Sequence, residues 1–129
     1  MSVDIKTIAI KDLSGAVNVS LAAAANTTLY TVPVGYKAVL HHVDLIAGAD
    51  CSTATVTVGR STALTDFLGT QTLSNINAAE DVATMQPVPN ATPVILKTYA
   101  AGVIIQMAVT SAVGGATNSV HLWGYLIAV

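Results

Sequence analysis

The sequence predicts an all-β fold, an antiparallel, jelly-roll-like β-sandwich in a single domain covering residues 1–129. Three observations predict it: apolar and polar residues alternate over short segments, β-branched residues are abundant, and loop-forming residues separate the segments. β-Branched residues fit a pleated surface, and many short strands joined by turns are typical of sandwiches and barrels. The chain is also long enough to bury one sizeable core.

The clearest predicted strand has apolar side chains at every second position: Val103, Ile105, Met107 and Val109. Similar patterns predict strands at residues 3–10, 16–21, 28–32, 39–46, 53–58, 71–73, 82–85, 94–99 and 120–127. Pro33-Val34-Gly35 and Gly48-Ala49-Asp50 predict turns between strands. Residues 61–68 predict one helical turn, because their apolar side chains have helical spacing behind a Ser or Thr cap.

The surface is predicted to be poor in charge, since only 9% of residues are charged, against about 25% in average soluble domains. Either Thr, Ser and Asn cover the surface, or other chains bury much of it. The net charge is −2 and the basic residues are scattered, which excludes a phosphate-binding patch and disfavours nucleic acid as a partner. No signal peptide or membrane-spanning run is recognised, so a soluble protein without membrane contact is expected.

His41, His42 and Asp44 are the nearest approach to a metal cluster in the sequence. Adjacent residues of a regular strand point to opposite faces, so His41 and His42 are predicted not to share a metal ion. His42 and Asp44 are two residues apart and share a face, but a catalytic zinc ion needs a third protein ligand. Only His121 is a distant candidate, so no metal site is expected.

Nucleophilic catalysis is not expected either. No Gly-X-Ser-X-Gly motif occurs, and Cys51, the only cysteine, follows Asp50, whose carboxylate disfavours a thiolate. An enzyme of the cupin type would need a histidine cluster that this chain does not assemble. The sequence therefore predicts a non-enzymatic protein with no cofactor, which acts through contacts.

The C-terminal strand contains the strongest candidate contact surface. Val120, Leu122 and Gly124 form an ordinary core face. His121, Trp123 and Tyr125 alternate with them and are predicted to lie on the opposite face. Aromatic residues with a polar group are enriched at protein interfaces. The alternatives are that both faces are buried within the domain, or that a bulge at Gly124 shifts them.

The N-terminal segment is a second candidate contact. Residues 1–12 include a β-rich run in which Val3 and Ile5 are the candidate interface side chains. Such a segment can add a strand to the sheet edge of a neighbouring chain through main-chain hydrogen bonds. Pairing within the domain is the alternative, in which these residues form an ordinary edge strand.

The run Tyr-Thr-Val-Pro-Val-Gly at residues 30–35 leads into a long predicted strand, and over residues 27–59 the chain resembles a segment of small bacteriophage virion proteins. In that group a Tyr-Thr-Val-Pro-x-Gly turn leads into a long strand, as Tyr30 to Gly35 do here, and a Thr/Val strand follows, as at residues 54–59. Tail-fibre and baseplate modules contain similar segments. The small size and low charge favour the tailed-phage capsid decoration, or cement, proteins.

The resemblance implies a structural virion protein that decorates and stabilises a capsid. Its partners would be the major capsid protein and further copies of itself, with a homotrimer typical of the family. Its location would be the capsid surface, after assembly in the host cytoplasm. No binding residue carries over, because the shared segment is structural. The alternative is a receptor- or carbohydrate-binding module of a tail fibre or baseplate, with Trp123 or Tyr125 stacking on the ligand.

Overall fold

Ten β-strands form two antiparallel sheets in the computed structural model, which describes residues 9–87, 97–113 and 117–129. The strands are β1 (Lys11–Asp12), β2 (Val17–Ser20), β3 (Asn26–Thr31), β4 (Tyr36–Ile46), β5 (Thr55–Arg60), β6 (Ala63–Thr72), β7 (Val82–Met85), β8 (Thr98–Tyr99), β9 (Ile104–Ser111) and β10 (Thr117–Ala128). Sheet A has the order β1-β10-β4-β7, and in it β2 also pairs with β10 and β8 with β4. Sheet B has the order β3-β9-β5-β6. The predicted antiparallel β-sandwich is confirmed.

The strand pairing is that of a jelly roll. β2 pairs with β10, β3 with β9, β4 with β7 and β5 with β6. The first half of the chain therefore lies against the second half in reverse order, and successive pairs alternate between sheet A and sheet B. As a consequence β4 and β10, which are distant in sequence, become the two central strands of sheet A.

The core lies between the two sheets and consists of aliphatic side chains. Both sheets contribute fully buried residues, among them Leu40, Leu45 and Leu122 from sheet A and Val58, Ile105 and Met107 from sheet B. Each of these is one of the inward-facing positions of a strand. The side chains between them along β4 and β10 consequently form the outer face of sheet A.

The strand predictions hold for most of the described chain, and the helical turn is wrong. Residues 61–68 lie in a turn and the first part of β6. Two register shifts between β5 and β6 interrupt the alternation there, so the apolar side chains acquire a spacing that resembles a helix. Nowhere in the described ranges is there a helix long and apolar enough to cross a membrane.

The chain enters sheet A through β1, which pairs Lys11 with Gly124 and Asp12 with Trp123. Val3 and Ile5 lie outside the described residues, as does the first part of the strand predicted at 94–99. The contact of the N-terminal segment with a neighbouring chain therefore stays a prediction.

Candidate functional site

The outer face of sheet A contains the aromatic side chains that the sequence singled out. Along β10 the core-facing Leu122 is buried, whereas His121, Trp123 and Tyr125 alternate with such residues and are only half-buried. The structure thus brings the three C-terminal candidates together on one face, as the alternation predicts. Their role as a protein interface stays a prediction.

A β-bulge shapes this face where β10 meets β4. Trp123 pairs with His42 but Gly124 pairs with Leu40, so His41 is an extra residue without a partner on β10. The two backbones approach closely at this point, because a Cβ on Gly124 would lie 2.1 Å from the carbonyl oxygen of Val39. Gly124 therefore marks a bulge, as the sequence suggested, but the extra residue lies on β4 and the faces of β10 are not shifted.

The bulge overturns the prediction that His41 and His42 point to opposite faces. Their Nδ1 atoms lie 2.7 Å apart, and the rings meet edge to face with centroids separated by 4.9 Å. The prediction assumed a regular strand with a period of two, and the extra residue breaks that period. Two adjacent imidazoles therefore contact each other on the solvent side of the sheet.

His42 contacts Trp123 and Asp44 in addition to His41. Its ring stacks on the indole of Trp123, with centroids 5.6 Å apart and planes 6° from parallel. Its Nε2 lies 3.6 Å from Oδ2 of Asp44, so the predicted sharing of a face by His42 and Asp44 is confirmed. Asp44 in turn accepts a hydrogen bond of 2.9 Å from the hydroxyl of Thr84 on β7. This chain of contacts fixes the orientation of the imidazole.

His121 has a separate set of partners. Its Nδ1 lies 2.6 Å from Oδ2 of Asp12, and its Nε2 lies 3.2 Å from Oγ of Ser119. A Ser-His-Asp series is the connectivity of a hydrolase triad, which also needs free N–H donors for an oxyanion. Ser119 sits within β10 and is paired with both β2 and β4, so the backbone beside it belongs to the sheet. The contacts with Asp12 and Ser119 orient the ring of His121.

These groups define a surface that we call the histidine face. Its members come from β1, β4 and β10: Asp12, His41, His42, Asp44, Ser119, His121, Trp123 and Tyr125. The Nε1 atom of Trp123 is buried and has no hydrogen-bond acceptor among the described residues. A buried donor without an acceptor costs about 1–3 kcal/mol.

The remaining candidates from the sequence are a metal cluster, a reactive thiol at Cys51 and a glycan-binding ring at Trp123. Within residues 9–87, 97–113 and 117–129, no group of three or more His, Cys, Asp or Glu side chains is placed to hold a metal ion. Cys51 is buried, and its thiol lies 3.3 Å from Oδ1 of Asn118. Burial raises the pKa of the Cys51 thiol, and the Asp50 carboxylate raises it further, which confirms that the thiolate is disfavoured. Binding of a glycan by Trp123 stays a prediction, and His42 already covers one side of that ring.

Sequence reasoning missed two members of the histidine face. Ser119 precedes His121 by two residues on the same strand, so the alternation that selected His121 would also have found Ser119. Asp12 had no such signal, because its contact with His121 depends on the pairing of β1 with β10. That pairing joins residues more than 100 positions apart in the chain, at a register no local pattern specifies.

Comparison with known proteins gives a likeness at the level of the fold. No protein-family model and no curated protein matches the chain. A similar solved structure is a chain described as "Cyanophage Pam1 capsid asymmetric unit", with 20% sequence identity and a TM-score of 0.58. The match covers 92% of this chain and 84% of that chain. The sandwich described above is therefore a fold that also occurs in a chain of a cyanophage capsid structure.

Proposed function

We propose that the protein is a structural component of a bacteriophage virion that decorates and stabilises the capsid through protein–protein contacts. The observation that carries the proposal is the likeness to a chain of a cyanophage capsid structure over 92% of the present chain. The resemblance of residues 27–59 to small virion proteins supports it independently. The proposal includes a non-enzymatic role, homo-oligomerisation and a location on the capsid surface.

The histidine face is the surface that we assign to the capsid contact. It places Trp123, Tyr125 and His121 side by side on a sheet, half-buried in the isolated chain. Aromatic residues are enriched at interfaces, and a partly desolvated Trp is a common centre of binding energy.

Co-sedimentation with purified procapsids and mature capsids of the phage that encodes the chain tests the proposal. We expect the protein to sediment with assembled capsids and not with free capsid subunits, and to raise the resistance of the capsids to heat and chaotropes. Binding to neither procapsids nor mature capsids would overturn the decoration role.

A pair of variants tests the assigned surface separately. Trp123→Ala removes the largest side chain of the histidine face, and Thr110→Ala changes an exposed residue on the outer side of sheet B. We expect Trp123→Ala to weaken capsid binding at least tenfold, because truncation of a central interface residue commonly costs about 2 kcal/mol or more. Thr110→Ala should bind like the unaltered protein. Equal binding by both variants would move the interface away from the histidine face.

A further inference from the structure

The contact between His41 and His42 has a chemical consequence beyond packing. Two ring nitrogens at 2.7 Å form a hydrogen bond only when one carries a proton and the other offers a lone pair. The position of Asp44 near Nε2 of His42 favours a proton on that nitrogen, which leaves Nδ1 of His42 as the lone pair. Nδ1 of His42 is thus available as a ligand, facing a second imidazole nitrogen.

We propose that His41 and His42 form a two-ligand chelate for one divalent transition-metal ion of the Ni²⁺, Cu²⁺ and Zn²⁺ class. Metal–imidazole bonds of about 2.0–2.1 Å that meet at a right angle or a tetrahedral angle hold their nitrogens about 2.9–3.4 Å apart. The observed separation of 2.7 Å needs only a small opening to reach that range. His41 is exposed, so its ring is free to move its proton to Nε2 and turn Nδ1 toward the ion.

The surroundings of His42 match those of a metal ligand. A ligating histidine usually directs its second nitrogen to a carboxylate, which fixes the tautomer and the ring orientation. Oδ2 of Asp44 lies on the Nε2 side of His42 at 3.6 Å, just beyond hydrogen-bond distance, and the hydroxyl of Thr84 donates a hydrogen bond to Asp44. The β-bulge supplies the second ligand, because only the extra residue brings His41 to the same side as His42. With two protein ligands, water completes the coordination. The inference does not depend on the virion role.

Trp123 provides a built-in reporter for this site. It is the only tryptophan in the chain, and its ring stacks on His42 at 5.6 Å. Ni²⁺ bound at Nδ1 of His42 should quench the fluorescence of Trp123. We expect titration of the untagged protein with Ni²⁺ at pH 7.5 to give saturable quenching with one ion per chain, counted independently by equilibrium dialysis. Addition of EDTA should reverse both signals, because the chelator removes the bound ion.

Two matched variants decide the assignment. His41→Gln removes one ligand and leaves the stack of His42 on Trp123, so we expect quenching and bound Ni²⁺ to fall at least tenfold. His121→Gln alters the third histidine, which pairs with Asp12, and should bind one Ni²⁺ as before. Circular dichroism checks that each variant is folded. Retained binding in His41→Gln, loss of binding in His121→Gln, or the absence of saturable binding to the unaltered protein would overturn the proposal.

Discussion

The outer faces of the two sheets differ in character, although alternating strands build both. On sheet B the outer side chains carry no charge and most of them are polar, and we call this the threonine face: Thr28, Thr55, Thr57, Gln106, Ala108 and Thr110, of which Thr57 and Ala108 are buried. Its polar groups bond to one another, since the hydroxyls of Thr55 and Thr110 lie 2.7 Å apart and Gln106 donates to Thr28 at 3.2 Å. The histidine face has large rings, ionisable groups and a buried indole N–H without an acceptor among the described residues.

The two outer faces therefore differ in charge, in ring content and in hydrogen bonding, and the histidine face is the one that we propose for the capsid contact. On the threonine face the hydroxyls of Thr55 and Thr110 already form a hydrogen bond with each other, so they do not require a partner from another molecule. Variants at Gly124 and Trp123 test this contrast, and a variant at Tyr99 tests the contact between the two sheets.

Removal of the bulge should have the largest effect, because the bulge creates the histidine face. In Gly124→Ala the new Cβ would lie 2.1 Å from the carbonyl oxygen of Val39, so β4 and β10 must separate locally. We expect the free energy of unfolding to fall by about 2–4 kcal/mol. Urea unfolding followed by circular dichroism measures it.

Gly69→Ala is the matched control, because open space surrounds Gly69 in β6, and its effect should stay within about 1 kcal/mol. Equal free energies of unfolding for the two variants would show that the close approach of β4 and β10 tolerates a Cβ at position 124.

The stability of the protein at alkaline pH reports on a contact between sheet A and sheet B, formed by Tyr99 and Asp66, that belongs to neither outer face. Tyr99 on β8 of sheet A lies beside Asp66 on β6 of sheet B, and Oδ2 of Asp66 is 3.0 Å from Nε of Arg60. Burial, followed by the Asp66 carboxylate, raises the pKa of Tyr99 from 10.0 to about 12. The unfolded chain therefore loses this proton first. The contribution of Tyr99 to stability is complete below pH 10 and is lost as the pH rises toward 12.

The variant Tyr99→Phe isolates that contribution. Between pH 10 and 12 its free energy of unfolding should decline less than that of the unaltered protein, by on the order of 2 kcal/mol. Urea unfolding at several pH values measures the two slopes. Tyr36→Phe, at an exposed tyrosine, should leave the slope unchanged. Parallel curves for Tyr99→Phe and the unaltered protein would contradict the raised pKa of Tyr99.

The smallest expected effect concerns the indole N–H. Trp123→Phe keeps an aromatic ring on His42 but removes the buried donor, so the lost packing area and the relieved desolvation cost should nearly cancel. We expect the free energy of unfolding to change by less than about 1 kcal/mol, as measured by urea unfolding. Thr110→Ala on the threonine face should change it by about 0.5 kcal/mol or less. A loss above about 2 kcal/mol for Trp123→Phe would mean that the N–H is already satisfied in the isolated protein.

Local pattern was sufficient for the fold class and for the direction of most side chains. On β10 the period of two holds from Val120 to Gly124, so the outward position of His121 and Trp123 was predictable from residue types alone. The same reasoning failed at His41, where the chain contains one residue more than its partner strand, and at residues 61–68 beside two register shifts. A bulge depends on the partner strand as well as on the bulged strand, and so it leaves only weak signals in the local sequence.

The sequence by itself determined that the chain forms a sandwich of alternating strands, because side-chain direction in a strand is a local property with a fixed period. Only the tertiary structure decided which strands became neighbours. The pairing of β10 with β1 and β4 brought Asp12 to His121 and Trp123 under His42, across more than 80 residues in each case. Register and contact between distant strands depend on how the whole core closes, so the histidine face exists only in the folded chain.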